Sequence, residues 1–328
     1  MTSLPNPSQP ISAEAAGRAF AAILDGTISD ADVAAFLVAL SERGETATEI
    51  AAAAQAMRER MIPIDAPANA IDVCGTGGDG HHTLNVSTAV AIVVAACGVP
   101  VAKHGNRAAS SKAGAADTLE ALGLNLARAG EQAEATLADL GICFLFAQAH
   151  HPALAHLAPI RRSIGRRTIF NLMGPLANPA KVRRQLIGIA RPDYVPIYAE
   201  ALQKLGTERS MVVSGEEGLD ELSLGGGNAV TEVEKGGLRS YIVSAADAGL
   251  PSHPVEAIRG GDPQHNADEL RKLLQGEPGP YRDAVLFNSA AALIVAGEVE
   301  RLADGVEEAA EAIDKGLANA LLNCWIAF

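Results

Sequence analysis

Residues 72–123 constrain this chain more than any other stretch. They carry two glycine-rich turns, Gly75-Thr76-Gly77-Gly78-Asp79-Gly80 and Lys103-His104-Gly105-Asn106-Arg107-Ala108-Ala109-Ser110-Ser111. Each turn follows a short apolar segment and leads into a helical pattern. Glycines let backbone N–H groups come close to an anion, and the helix that follows offers its positive end. Two such turns in one stretch predict a cradle for more than one phosphate.

The pattern around this stretch extends the argument. Short apolar segments fall at residues 71–74, 99–103, 142–147, 185–190 and 210–214, with helical segments between most of them. That alternation predicts an α/β domain with a mostly parallel central sheet. Residues 229–243, interrupted at Gly236-Gly237, read as an antiparallel hairpin, and residues 266–274, 282–296 and 303–323 as C-terminal helices. Before the sheet come three helical patterns. The first spans 12–24 and ends at Gly26. The second starts at Ser29 and the third at Thr46, where Ser29-x-x-Asp32 and Thr46-x-x-Glu49 resemble capping boxes. Ile50, Ala53, Ala54, Met57 and Met61 share one helical face and are expected in a core. Residues 1–10, with three prolines, read as a loose tail. Pro63 and Pro67 mark a boundary. The expected organisation is a small N-terminal helical domain, 1–66, completed by helices within about 152–180, and an α/β domain over 67–328.

Charge narrows the partners. The 328 residues carry 26 basic and 39 acidic side chains, a net charge of −13, so general nucleic-acid affinity is not expected. Anions can bind only where cations cluster, as in Lys103, His104, Arg107 and Lys112, or Arg161, Arg162, Arg166 and Arg167. Cys74, Cys97, Cys143 and Cys324 lie far apart without a CxxC pair and read as core residues of a reducing compartment. No basic region followed by an apolar one opens the chain, and the longest apolar run, 89–102, is short and broken by Gly98 and Pro100. A soluble, cytoplasmic protein without membrane contact is the expectation.

The first turn alone could be a tight strand-to-helix connection. Asn85, Ser87 and Thr88 sharpen it: they stand just before an apolar helix, either as caps or as donors to a phosphate. In the second turn Lys103, Asn106, Arg107, Ser110, Ser111 and Lys112 crowd donors beside a glycine, which a solvated charge run would not require. Asp220-Glu221 alone could be a solvated pair. The apolar neighbours Leu219, Leu222 and Leu224 argue for a short, rigid segment instead.

These stretches together resemble the anthranilate phosphoribosyltransferases. The matching motifs are GTGGD at 75–79, NVST at 85–88, KHGNR at 103–107, NLMGPLANP at 171–179 and LDELS at 219–223; the helical stretches ILDGTISDADVAAFLVAL and GGDPQHNADEL match as well. The resemblance runs from about residue 12 to 323. It implies transfer of the phosphoribosyl group of 5-phosphoribosyl 1-diphosphate to the amine of anthranilate, in tryptophan biosynthesis. It implies a donor site of Gly75, Gly78, Asp79, Thr83, Asn85, Val86, Ser87, Thr88, Lys103, His104, Gly105, Asn106, Arg107, Ala108, Ala109, Ser110, Ser111 and Ala115. Anthranilate is expected against Gly75, Asn106, Arg161, His104 and His151. Mg2+ is expected on Ser87, Asp220 and Glu221, hard oxygen ligands suited to a cation bound to diphosphate. No general acid or base is assigned; Asn106 and Arg161 act by positioning. A homodimer through the helical domain is also implied. His81-His82 and Ala115 depart from the family pattern. Two rivals remain: a nucleoside phosphorylase of the same fold, and a nucleic-acid-binding relative, which the acidic balance opposes.

Overall fold

The computed structural model describes residues 4–108 and 112–328. Its strands are β1 (Ile71–Gly75), β2 (Val101–Gly105), β3 (Ile142–Phe146), β4 (Arg184–Gly188), β5 (Arg209–Gly215), β6 (Asn228–Glu234) and β7 (Gly237–Val243). Among the described residues they form one seven-stranded sheet in the order β3-β2-β1-β4-β5-β6-β7. The first five of these run parallel, and β6 and β7 are antiparallel. Parallel strands covered on both faces need near-continuous apolar runs. β1, β2 and β3 each bury four residues and leave one half-buried at the carboxyl end; β3 is apolar throughout, whereas β1 buries Asp72 and β2 buries Lys103 and His104.

The strand order reverses between β1 and β4. The chain moves outward from β1 through β2 to β3, then returns to add β4 on the other side of β1. In open α/β sheets the crevice outside the carboxyl ends at such a reversal is where ligands bind. Both strands end there in glycine, Gly75 paired with Gly188.

Each sheet face has its own core. Val73, Val101, Phe144, Leu186 and Val213 pack against the helices Val86–Ala96 and Pro280–Ala296. Ile187, Ile189, Val212 and Val233 share a second core with Phe20, Leu37, Ile50 and Met57 of the N-terminal helices Ala13–Leu24, Asp30–Arg43 and Ala47–Arg58. Leu157, Ile160, Phe170 and Met173 join the same core from residues 157–173. One face of the sheet therefore meets the helical unit and the other its own covering helices.

Several local expectations need correction. Residues 7–10 are not loose: Arg43 Nη1 donates to the carbonyls of Pro7 (3.1 Å) and Gln9, and Ile11 N donates to Glu49 Oε1 at 2.9 Å. Glu49 also completes the capping box at Thr46 and pairs with Arg43, so one fully buried carboxylate ties tail to helix. At Ser29 the box is only half formed, because the Asp32 carboxylate accepts from the Ser29 hydroxyl (2.7 Å) rather than its N–H. The expected last helix is two, Leu302–Asp314 and Leu317–Ala327, broken at Gly316 with φ +74°. The hairpin turns at Lys235-Gly236, since Glu234 pairs with Gly237. Cys324 is exposed rather than buried, and all four cysteines are free. Among the described residues no helix is long and apolar enough to cross a membrane.

Candidate active site at the sheet reversal

Asp220 sits on the carboxyl ends of β1 and β4. A Cβ on Gly188 would lie 1.5 Å from the Asp220 carbonyl oxygen, and one on Gly75 would lie 2.1 Å from Asp220 Oδ2. Only glycine at both positions lets the acidic segment rest on the strand ends. Gly77 N donates to Asp220 Oδ2 at 2.7 Å, tying the first glycine turn to it. Asn288 holds the segment from below, accepting from Leu222 N and donating to Leu222 O, both at 2.9 Å.

The acids are crowded. Burial, then the charge of Asp79, pushes the Asp220 carboxyl up to about 7. Burial and then Asp220 push Glu221 well above the usual carboxylate range. Glu221 Oε1 accepts from Ser87 N at 3.1 Å, whereas Glu221 Oε2 and Asp79 Oδ2 are buried and unpartnered. Buried carboxylate oxygens without donors, beside carboxyls that resist ionising, fit a cation as the missing partner.

Lys103 and His104 are consecutive on β2 and point to opposite faces. Lys103 is 2% exposed; its Nζ donates to Val73 O (2.8 Å) and Ser87 Oγ (3.3 Å). The expectation that Lys103, His104 and Gly105 begin a loop is therefore corrected: they are strand, and Lys103 lies under the first turn of the helix Val86–Ala96. Burial lowers its pKa while the Asp72, Cys74 and Glu221 charges oppose that. On the other face His104 Nδ1 lies 2.9 Å from Gly174 O, and its ring centroid is 5.2 Å from that of His151. Burial lowers His104 to about 3 and His151 to about 4, so both rings are neutral. The Gly174 carbonyl can only accept, so Nδ1 of His104 carries the proton and Nε2 is a bare acceptor. Nε2 of each ring is buried and without a partner. His151 is thus part of an imidazole pair and not merely a residue before Pro152.

Arg161 comes from the helix Leu157–Ile164. Its guanidinium is half-buried, desolvation lowers its pKa, and it makes no hydrogen bond or ion pair to another described residue. A partly buried cation without a partner is a ready carboxylate receptor.

The remaining donor-site residues divide. Asn85 does not cap the helix. Its side chain is spent on protein groups, donating to Ala113 O (3.3 Å) and accepting from Thr118 Oγ1 (2.5 Å) and Asn266 Nδ2 (2.9 Å). Thr88 Oγ1 is buried and unpartnered in the first helical turn that Val86 opens. Thr83 bridges to Arg259, and Gly78 lies against the Arg167 guanidinium, which donates to Gly77 O. Asn106 is exposed, its side chain accepting from Arg107 N at 2.8 Å. Arg107 pairs with Asp117 (2.9 Å) and Glu120. Ala108 N donates to Asp117 Oδ2 at 2.9 Å. Ala115 opens the helix Ala115–Leu122. Ala109, Ser110 and Ser111 lie outside the described residues. At the departure from the family pattern, His81 Nε2 lies 3.1 Å from Glu217 O and His82 has φ +54°.

Sequence reasoning missed Gly188, Asn288 and Asn266. Gly188 gave no signal because its partner Asp220 is distant in sequence. The GGDPQHNADEL stretch was visible, but nothing assigned its asparagine.

An α/β unit joined to a helical unit, with an acidic pair at the sheet reversal, is the architecture of a glycosyl transferase family. The family described as "Glycosyl transferase family, a/b domain" matches residues 67–319, and "Glycosyl transferase family, helical bundle domain" matches residues 6–61. The chain is 73% identical over 327 residues to the anthranilate phosphoribosyltransferase of Novosphingobium aromaticivorans, covering 100% of this chain and 99% of that one. Its fold is similar to that of anthranilate phosphoribosyltransferase from Thermus thermophilus, with a TM-score of 0.91, 45% identity, and 98% and 96% of the two chains covered. It is also similar to the Saccharomyces cerevisiae enzyme in complex with PRPP and Mg, with a TM-score of 0.88, 29% identity, and 96% and 93% covered. The chain belongs to the anthranilate phosphoribosyltransferase family.

Proposed function

We propose that this chain transfers the phosphoribosyl group of 5-phosphoribosyl 1-diphosphate to the amine of anthranilate. The observation that carries this reading is the pairing of two unlike walls at the sheet reversal. The acidic wall has unpartnered carboxylate oxygens and helix N–H groups, the opposite face of β2 has two neutral imidazoles, and the helix Leu157–Ile164 supplies a half-buried arginine without a partner among the described residues. The first suits a metal-bound diphosphate, and the imidazoles and the arginine suit an aromatic amino acid.

In the reaction the anthranilate nitrogen forms a bond to the anomeric carbon while the bond to the diphosphate oxygen breaks. One proton leaves the nitrogen. Arg161 binds the acceptor carboxylate and Asn106 lies on the acceptor's path, which removes part of the entropic cost of alignment. His104 Nε2, a bare acceptor, receives an amine N–H. With a pKa of about 3 it orients the amine rather than acting as a strong base. The first turn of the helix Val86–Ala96 and the glycine turn at 75–80 receive phosphate oxygens.

Ser87, Asp220 and Glu221, with Asp79 beside them, would hold Mg2+. Among the described residues no three His, Cys, Asp or Glu side chains are gathered as a metal cage. The chain thus offers a partial set of oxygen ligands, the kind Mg2+ completes with substrate oxygens. The ion supplies charge neutralisation for the departing diphosphate.

A homodimer through the helical unit belongs to the same proposal. It is supported by Ala34, Ala35, Val38 and Ala39, which stay partly exposed on the helix Asp30–Arg43. Light scattering of the native protein tests it. We place the protein in the cytoplasm, as the biosynthetic reading suggests. The function itself is tested by following anthranilate fluorescence with donor and Mg2+. Consumption dependent on both supports the reading, and phosphorolysis of thymidine or uridine in its place overturns it.

A further inference from the structure

The GGDPQHNADEL stretch is used by none of the chemistry above, yet it reaches both phosphate-binding turns. Asn266 is 2% exposed at the start of the helix Pro263–Leu274. Its Oδ1 accepts from Gly261 N at 2.8 Å, and its Nδ2 donates to Asn85 Oδ1 at 2.9 Å. Asn85 Oδ1 also accepts from Thr118 Oγ1 at 2.5 Å, while Asn85 Nδ2 donates to Ala113 O at 3.3 Å. Asn85 thus binds the base of the second turn with both ends of its amide, and Asn266 fixes which way that amide faces.

The backbone beside Asn266 grips the first turn directly. Gly260 N donates to His82 O and Leu84 N to Ile258 O, each at 2.8 Å, around the bridge from Thr83 to Arg259. Side chains are shut out at this point. A Cβ on Gly260 would lie 2.6 Å from Thr83 O, and one on Gly261 2.7 Å from the His265 ring. Asp262 accepts from His265 N at 2.9 Å and caps the helix, so Asn266 is presented one turn above a fixed start. Tyr281 adds a further hold, its hydroxyl donating to Asn85 O at 3.2 Å.

We infer that Asn266 is a positioning residue for the phosphoribosyl donor. Through Asn85 it sets the spacing between the turn at 75–85 and the turn whose base is residues 113–118. It touches neither substrate. The inference rests on the donor-site reading above. A diphosphate and a 5-phosphate held by two separate turns demand that the turns keep a fixed distance, and a polar network with every member satisfied supplies that rigidity. Arg161, His104 and His151 make no bond to Asn85, Asn266 or Thr118, so the effect is expected mainly on the donor.

Two variants test this on the intact enzyme. Asn266→Asp keeps the acceptor for Gly261 N and removes the donor to Asn85. Thr118→Val keeps the shape of a buried residue and removes the second donor to the same oxygen. Each is expected to raise the KM for 5-phosphoribosyl 1-diphosphate roughly tenfold, the scale of one lost buried hydrogen bond. The anthranilate KM should stay within about twofold, because neither Asn266 nor Thr118 bonds to Arg161, His104 or His151. Ser87→Ala, measured alongside, reports on the donor site itself. If Ser87→Ala raises the donor KM while both other variants leave it unchanged, the positioning role is overturned and the donor site stands. If all three leave it unchanged, the donor-site reading falls as well. A parallel rise of both KM values in Asn266→Asp and Thr118→Val also overturns the inference. Should Asn266→Asp fail to fold, Asn266→Ser, which also removes the donor to Asn85, decides by the same criteria.

Discussion

Lys103 and His104 are neighbours on one strand and serve opposite faces of the sheet. The Lys103 face is ionic. It gathers Ser87, Asp79, Asp220 and Glu221 near a buried ammonium, and burial followed by mutual repulsion pushes the carboxyls of Asp220 and Glu221 up. The His104 face holds two neutral imidazoles and the Gly174 carbonyl, with the buried Asp72 accepting from His104 N at 3.2 Å. The difference teaches how one strand can build two surroundings of opposite character. Alternation separates a buried ammonium among carboxylates from a neutral imidazole pair.

The sharpest way to break the comparison is to remove the charge from the ionic face. Asp220→Asn combined with Glu221→Gln is expected to lower Mg2+-dependent turnover by at least about a hundredfold, the scale of losing electrostatic stabilisation of a leaving group. Circular dichroism should remain native. Turnover within a few-fold of the parent would free both residues from the metal role.

A slightly smaller effect should fall only on the acceptor. Arg161→Ala removes a charge-assisted contact worth about 2–4 kcal/mol, so the anthranilate KM is expected to rise roughly 30- to 1,000-fold. The donor KM should stay near the parent value. Equal changes in both would mean the two sites are not separable.

Arg107 asks which region owns a residue near the border. In the structure its guanidinium lies with Asp117 and Glu120 and stacks 5.7 Å from the Phe146 ring centroid. If it leaves them for diphosphate, Arg107→Ala weakens donor binding by about 1.5–3 kcal/mol, less at high salt. An unchanged donor affinity with a lower Tm would assign Arg107 to the helix Ala115–Leu122 instead. Calorimetry with donor and Mg2+ distinguishes the two.

The smallest expected effect is on stability against pH, and its sign differs between the faces. His104 and His151 have folded pKa values near 3 and 4, below the ordinary value of 6.5. Their contribution is whole above about pH 6.5 and is lost as pH falls toward 4, because the unfolded rings take up protons first. By pH 5 this amounts to about 1–2 kcal/mol for each buried ring. Asp220 runs the other way: its raised value of about 7 means stability is lost as pH rises from about 4 through 7. Thermal melts from pH 4 to 8 should show both slopes. His104→Gln should flatten only the acid limb, and Asp220→Asn only the other. A single slope unaffected by either variant would contradict the assignment.

Much of the site was legible in the sequence. The turn at 75–80, the serine and threonine of the helix start, Arg161 and the Asp220-Glu221 pair all carried residue types suited to one chemistry within short local patterns. Lys103 reads both as the end of the apolar segment 99–103 and as the first residue of an anion-binding turn. Only its partners Val73 O and Ser87 Oγ, on other elements, make burial tolerable. Asn85 reads as either a cap or a phosphate donor, and the three side-chain partners that occupy it instead lie 28, 33 and 181 residues away.

The sequence by itself determined what depends on near neighbours. Apolar runs ending in glycine made parallel strands, and Thr46 with Glu49 made a capped helix start. The motif stretches placed the chain among the phosphoribosyltransferases before any coordinate was known. Tertiary structure decided what depends on distance. It laid Asp220 across Gly75 and Gly188, bonding it to Gly77 from 143 residues away. It set Lys103 and His104 among different partners on opposite faces, and it drew Asn266 to Asn85. The physical reason is that backbone propensity and capping act over a few residues. Desolvation, charge crowding and hydrogen-bond satisfaction are set by whichever groups the packed sheet brings together.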